Sequence, residues 1–192
     1  MSIKVLGGMA RGFTLATPDS CTTRPTSVLL RRRFFDSHQD FSDSLFVDLC
    51  AGSGAVGIEA CSRGAKEVYL VENCKKAFRC LKNNGHLFKE KYPQSGSLNP
   101  VLFDFEKWIE RSEDILASYL AEDTYLYFDP PYEKINMYEQ FFKLITQKKV
   151  SARIIVEACQ QKTMSLAQFE KKFGVPVKTF KQGTSFLAIY DL

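Results

Sequence analysis

The chain has 192 residues, of which 45% are hydrophobic and 25% charged, the balance of an ordinary soluble globular protein of one domain. No apolar run approaches the ~20 residues of a membrane span, and the first residues lack the layout of a secretory signal, so a cytoplasmic protein with no membrane partner is expected. The net charge of +4 is concentrated: residues 1–36 hold Lys4, Arg11, Arg24, Arg31, Arg32 and Arg33 against Asp19 and Asp36, and the remainder balances at 20 basic and 20 acidic residues. A basic arm on a neutral body suggests a polyanion as partner.

The expected boundary follows that charge, with a basic N-terminal extension at 1–36 and a main domain at 37–192. In the extension, Ile3-Lys4-Val5-Leu6 reads as a short strand turned by Gly7-Gly8, with Arg11 to Leu15 as its hairpin partner. Ala16 to Ser20 and Thr22 to Thr26 are breaks, and Thr26 or Ser27 would cap a helix running from Val28 to Phe35. The six cysteines form no CxxC pair, and neither His38 nor His86 stands at metal-ligand spacing from them, so reduced thiols and no metal site are expected.

From Leu45 the pattern becomes repeated strand–helix units. Leu45–Leu49 is the first central strand, followed by a loop at Ala51–Gly54 and a helix from Ala55 to Arg63. Glu67–Val71 is the second strand, and the helix from Cys74 to Phe88 puts Ala77, Cys80, Leu81, Asn84 and Phe88 on one stripe. Val101–Phe103 reads as the third strand, Phe105–Tyr119 as a helix, and Thr124–Phe128 as the fourth strand. A helix at Tyr138–Thr146, a fifth strand at Arg153–Glu157 and a helix over 163–173 follow. Val175–Phe180 and Phe186–Asp191 close the chain as an antiparallel pair joined through Gly183. Alternating strands and helices imply an α/β, Rossmann-like, seven-stranded and mostly parallel sheet, with every parallel strand's carboxyl end on one edge.

Two stretches on that edge carry chemistry. Gly52-x-Gly54-x-x-Gly57 follows a strand and opens a helix, and Glu72 ends the next strand 20 residues after Gly52. This is the layout of an adenosine-nucleotide site, in which backbone approaches the ligand and the acid accepts from ribose hydroxyls. Asp48, just before the loop, would repel a pyrophosphate and favour the cationic methionine end of S-adenosylmethionine. Asp104 would accept from an adenine amine with Phe105 over the ring, although Asp48 and Asp104 could each instead cap a helix. A dehydrogenase is the weakest alternative, because neither histidine lies in a loop at a strand's carboxyl end.

The second stretch is Phe128-Asp129-Pro130-Pro131-Tyr132. Taken alone it is a strand running into a Pro-rich turn. Beside a methyl donor it reads otherwise. The exocyclic amine of a nucleobase is a poor nucleophile, and two acceptors on its hydrogens, the Asp129 carboxylate and a Pro130 carbonyl held rigidly by the prolines, would stabilise the charge that develops on nitrogen. Tyr132 offers a flat face for an extruded base.

This combination resembles the amino-methyltransferases of DNA and RNA bases. Leu6-Gly7-Gly8-x-x-Arg11-Gly12-x-x-Leu15, Pro18-Asp19, Thr23-Arg24-Pro25-Thr26, Asp48 through Ala60, Val71-Glu72, Asn83-Asn84, Phe128 through Tyr132 and Ile155-Val156-Glu157 together resemble the RsmD family, bacterial 16S rRNA guanine-N2 methyltransferases. The resemblance implies S-adenosylmethionine as donor, a guanine N2 as acceptor, and 16S rRNA within a small-subunit ribosomal particle as partner, with nothing demanding more than a monomer. It implies Asp48, Gly52, Gly54 and Glu72 at the cofactor, Asp129, Pro130, Pro131 and Tyr132 at the acceptor, and Arg11 and Arg24 on RNA; Ser53, Asp104 and Phe105 join the cofactor residues, and Arg31 the RNA contacts, from the patterns above. The helix after Thr26 departs from the family: Arg31 matches its second arginine, Leu29 replaces the first and Arg32 replaces a glutamate, so either the helix keeps its basic role or RNA docking has changed. The alternatives are methylation of adenine N6 or cytosine N4 in DNA, against which the lack of a DNA-reading domain argues, and a non-catalytic RNA-binding assembly factor.

Overall fold

The computed structural model describes residues 2–18, 28–160 and 164–192; the RNA contact expected of Arg24 and the cap expected at Thr26 or Ser27 lie outside them. A hairpin of β1 (Ser2–Lys4) and β2 (Thr14–Ala16) comes first, followed by α1 (Val28–Ser37). The main body runs β3 (Leu45–Asp48), α2 (Ala55–Ser62), β4 (Glu67–Val71), α3 (Lys75–Lys91), β5 (Ser97–Val101), α4 (Phe105–Arg111), α5 (Glu113–Ala117), β6 (Thr124–Phe128), α6 (Ile135–Gln147), β7 (Arg153–Cys159), α7 (Leu166–Phe173), β8 (Lys178–Gln182) and β9 (Ser185–Asp191).

The large sheet has seven strands in the order β5-β4-β3-β6-β7-β9-β8. Its first five strands are parallel, and β9 pairs antiparallel with both β7 and β8. The Rossmann-like architecture with a C-terminal antiparallel pair and an N-terminal hairpin is therefore present. Leu45-Phe46-Val47-Asp48 and Thr124-Tyr125-Leu126-Tyr127-Phe128 are buried at every residue, as strands covered on both faces must be. Alternate side chains then enter different layers: Phe46, Tyr125 and Tyr127 pack with α1, α2 and α3, while Leu45, Val47, Leu126 and Phe128 pack with α4, α6 and α7.

Several expected elements shift, and three show why. The third strand is Ser97–Val101 rather than Val101–Phe103, beginning four residues earlier and including Pro100. It is the edge of the sheet, where a proline can face outward without breaking a ladder. The helix expected over Phe105–Tyr119 is two helices, broken at buried Ser112, whose hydroxyl donates to the Ile109 carbonyl (3.3 Å). The break lets Trp108 and Ile109 stay in the core. The last hairpin is shorter at its start and turns through Gly183, where φ is +59°.

The extension is packed on the body. Val5, Ala10, Leu15, Leu30, Phe34 and Phe35 are buried in the same layer as α2 and α3. Arg31 joins them: its guanidinium donates to the Lys4 carbonyl (2.7 Å) and lies 3.6 Å from Glu59, which is fully buried and also holds Arg63 at 3.0 Å. This corrects the expectation that Arg31 touches RNA. With its side chain 2% exposed it has no reach to a ligand, and α1 presents Arg32 and Arg33 to solvent instead. An arginine on a helix face that also buries Leu30, Phe34 and Phe35 must find a carboxylate inside, because an unpaired buried charge is prohibitive.

Candidate active site

The chain leaves β3 toward β4 and β5 on one side and returns to β6 and β7 on the other, so the switch point of the sheet lies between β3 and β6. Asp48 stands opposite Tyr127 in that pair, and the Leu49 N–H donates to the Tyr127 carbonyl (2.9 Å). The loop after β3 and the loop after β6 therefore face one another. Across that gap the Asp129 main chain hydrogen-bonds to the Cys50 thiol, and burial and the Asp129 charge push the Cys50 thiol up.

The loop after β3 is tied down through its main chain. Gly52 and Gly54 have φ of +54° and +83°, values that side chains other than glycine rarely adopt. The Gly52 N–H donates to Glu72 (2.8 Å), and the other Glu72 oxygen accepts from the Cys74 N–H (2.7 Å) at the start of α3. Glu72 thus fixes both the loop and the next helix while 7% exposed. Gly57 is pressed so closely on β4 that a Cβ there would run into the Leu70 methyl. Its N–H donates to Asp48 (3.2 Å), so Asp48 does take a capping role in the first turn of α2. Burial raises the Asp48 carboxyl to about 7, against the pull of main-chain hydrogen bonds from Gly57 and Cys50, and the Glu72 charge adds to the rise. Two acids thus lie against a glycine loop, and the charge of Glu72 disfavours a second one on Asp48, which suits a cationic ligand and not a pyrophosphate.

Ser53 is buried between the two glycines, with its carbonyl accepting from Asn84 (2.9 Å). Asp104 precedes α4, makes no side-chain cap, accepts from Asn73 (3.1 Å) and pairs with Lys107 (3.6 Å). Asn73 follows Glu72, so its bond to Asp104 ties the segment after β4 to the segment after β5. Phe105 does not join them, which corrects the expectation that it covers an adenine ring. It is 4% exposed and packs on Phe128 (4.9 Å) and Phe141 (6.3 Å), because α4 turns Phe105, Trp108 and Ile109 inward together. The ring nearer solvent is half-buried Phe103, with Arg111 over its face (5.3 Å).

The loop after β6 has half-buried Asp129, buried Pro130, exposed Pro131 and half-buried Tyr132. The Pro131 carbonyl accepts from the Lys134 N–H (2.9 Å), which turns the chain back into α6. The Tyr132 hydroxyl donates to Glu157 (2.7 Å) and is hydrogen-bonded by the Ser185 side chain; its pKa is raised by burial, then by the charges of Asp129 and Glu157. The other Glu157 oxygen accepts from Tyr127 (2.8 Å), and its main-chain carbonyl accepts from Tyr138 (3.0 Å). Glu157 is fully buried inside β7, which runs two residues past the end expected at Glu157. Sequence reasoning gave it no role, and the signal available was an acid ending the apolar strand Ile154-Ile155-Val156, which needs partners if buried.

Arg11 is exposed in the hairpin turn. Among the described residues, no group of three or more His, Cys, Asp or Glu could hold a metal ion, and no helix is long and apolar enough to cross a membrane.

Residues 3–191 match the family model described as Conserved hypothetical protein 95. The chain is 29% identical over 166 residues to the Ribosomal RNA small subunit methyltransferase D of Haemophilus influenzae, covering 84% of this chain and 81% of that one. Among solved structures it resembles a hypothetical protein of Thermus thermophilus, with a TM-score of 0.75, 24% identity and 99% of each chain covered. A SAM-dependent methyltransferase from Agrobacterium tumefaciens shares the fold at a TM-score of 0.62 and 15% identity, over 88% of this chain and 63% of that one. With a family model spanning nearly its whole length, and with the paired loops of that site in place, the chain belongs to the Conserved hypothetical protein 95 family, the RsmD family.

Proposed function

We propose that this protein methylates the exocyclic N2 of a guanine in 16S rRNA, with S-adenosylmethionine as donor, as a cytoplasmic monomer working on a small-subunit ribosomal particle. The observation that carries the reading is the apposition at the β3–β6 junction of a glycine loop backed by two acids and an Asp-Pro-Pro-Tyr loop backed by Glu157. The name of the Haemophilus relative supports rRNA of the small subunit as the substrate.

The residues fit the donor. Glu72 sits where it can accept from ribose hydroxyls, Asp104 can accept from the adenine amine, and Asp48 favours a positive charge at the methionine end. S-adenosylmethionine, when bound, supplies a methyl group on a sulfonium that is already a good leaving group. The protein's share is positioning and electrostatics. The Asp129 carboxylate and the Pro130 carbonyl accept the two hydrogens of the guanine amine, which turns its lone pair toward the methyl. As the nitrogen becomes positive, both acceptors grow more favourable, and Asp129 holds the departing proton until it passes to water. Tyr132, pinned at its hydroxyl by Glu157 and Ser185, keeps one ring orientation for the base to stack upon.

The test is mass spectrometry of 16S rRNA from cells with and without the gene. One N2-methylguanosine should disappear on deletion and return with the wild-type gene but not with the Asp129→Ala variant. An unchanged modification profile would refute the reading.

A further inference from the structure

Asn84 lies in the middle of α3 on a stripe otherwise made by Ala77, Leu81 and Phe88, and it is 2% exposed. A buried amide costs stability unless it is fully hydrogen-bonded, and a leucine would fill such a stripe without that burden. Asn84 is bonded in two directions. Toward the hairpin, its Oδ1 accepts from the Ala16 N–H (3.0 Å) and its Nδ2 donates to the Ala16 carbonyl (2.9 Å), so the side chain grips both main-chain groups of the last residue of β2. Toward the cofactor loop, Nδ2 donates to the carbonyl of Ser53 (2.9 Å), the residue between Gly52 and Gly54. Both hydrogens of the amide are thereby used.

The far end of the hairpin is tied to the same unit. The Ala10 N–H donates to the Ser62 hydroxyl (2.9 Å), that hydroxyl donates to the Gly7 carbonyl (2.7 Å), and the Met9 N–H donates to the Ser62 carbonyl (2.8 Å). Ser62 is the last residue of α2, the helix that the cofactor loop opens. The hairpin bearing exposed Arg11 is therefore fastened at its turn to the end of α2 and at its open end, through Asn84, to the loop at the start of α2.

We infer that Asn84 is a positioning residue that couples the cofactor loop to the N-terminal hairpin, so that S-adenosylmethionine and rRNA bind with positive cooperativity passed through its amide. The inference rests on the methyltransferase reading above. A ligand that fixes the Ser53 carbonyl also fixes the amide donating to it, and that same amide holds Ala16. Ordering one side lowers the cost of ordering the other, and by linkage the effect is the same in both directions.

Asn84→Asp cuts the link, because a carboxylate still accepts from the Ala16 N–H but has no hydrogen for the Ser53 or the Ala16 carbonyl. The affinity for S-adenosylmethionine is measured by calorimetry with and without saturating small-subunit particles from a strain lacking the gene. In the wild type the particles should tighten cofactor binding by roughly fivefold or more. In Asn84→Asp that ratio should fall close to one, whatever happens to the affinity of the free protein. A variant that simply loosens the fold would weaken cofactor binding while leaving the ratio as in the wild type, and that outcome overturns the inference. A wild-type ratio of one, with cofactor still bound and rRNA still methylated, overturns it while leaving the methyltransferase reading intact; failure to bind S-adenosylmethionine sinks both. If Asn84→Asp does not fold, hydrogen exchange on the wild type decides: the cofactor alone should slow exchange of the β2 amides around Ala16, and unchanged exchange there rejects the coupling.

Discussion

The two loops that meet at the β3–β6 junction are anchored by different chemistry. The loop after β3 is held by its main chain: Glu72 takes the Gly52 N–H, Asn84 gives to the Ser53 carbonyl, and Asp48 takes the Gly57 N–H. The loop after β6 is held by ring systems: two prolines restrict its backbone, and the Tyr132 hydroxyl is locked between Glu157 and Ser185. A loop that lets ligand approach its backbone must be glycine-rich, so it has no side chains of its own to fix it and relies on acids and an amide from neighbouring elements. A loop that offers a carboxylate, a carbonyl and a ring to a substrate can be stiffened by its own prolines and by pinning the ring's hydroxyl to neighbouring strands. Binding and chemistry should therefore separate by loop when each is damaged.

The largest effect is expected from Asp129→Ala, which should lower single-turnover methylation by ~10²–10³-fold, the scale of losing one electrostatic stabiliser. Its calorimetric affinity for S-adenosylmethionine should stay near wild type; equal loss of cofactor binding would make Asp129 a support for the opposite loop. Glu72→Ala is the converse. It strips acceptors from the Gly52 and Cys74 N–H groups and should weaken cofactor binding by roughly 10- to 100-fold, since hydrogen bonds to a charged group are worth about 1.5–3 kcal/mol each. At saturating cofactor its turnover should recover, and a persistent defect would break the division of labour.

Tyr132→Phe keeps the ring and removes the hydroxyl from Glu157. A loss of about tenfold in kcat/KM is expected, with cofactor affinity untouched, the low end for one hydrogen bond to a charged group, about 1.5 kcal/mol. An unaffected variant would mean that the prolines alone position the base.

The smallest effect is pH dependence from Asp48, raised to about 7 in the folded protein from an ordinary value of about 3.9. A carboxyl whose pKa rises on folding contributes stability that is full below pH ~4 and is lost as pH climbs through 7. A cationic ligand favours the ionised form, so cofactor affinity should move the other way and increase from pH 6 to 8. Thermal melts and calorimetry across that range, on wild type and Asp48→Asn, test both slopes. Asp48→Asn should flatten them, and identical slopes in the two proteins would assign the dependence to another group.

Much of this site was legible in the residue order. The strands Glu67–Val71 and Thr124–Phe128 have the expected bounds, because each is a run of β-formers that is mostly or wholly buried. The β5 strand, Ser97-Leu98-Asn99-Pro100-Val101, has no such signal; an edge strand is set by main-chain pairing with β4 and tolerates almost any side chains. Helix α4 hid its direction for a related reason, since the turn that takes Phe105 inward depends on the rings of Phe128 and Phe141 from β6 and α6.

By itself the sequence determined where β3, β4 and β6 stop to within a residue, because apolar runs and glycine or proline stops are local properties. The glycine loop, Glu72 and the Asp-Pro-Pro-Tyr stretch followed from that. Tertiary structure alone decided where polar side chains in the middle of helices and strands point. Arg31 in an arginine run, Asn84 in an apolar stripe and Glu157 within a strand become an ion-pair partner of Glu59, a clamp between β2 and the glycine loop, and an anchor for two tyrosines. Their partners lie 28, 68, 31, 30 and 25 residues away along the chain. A buried polar group is stable only with its partner, and no local pattern names a partner so distant.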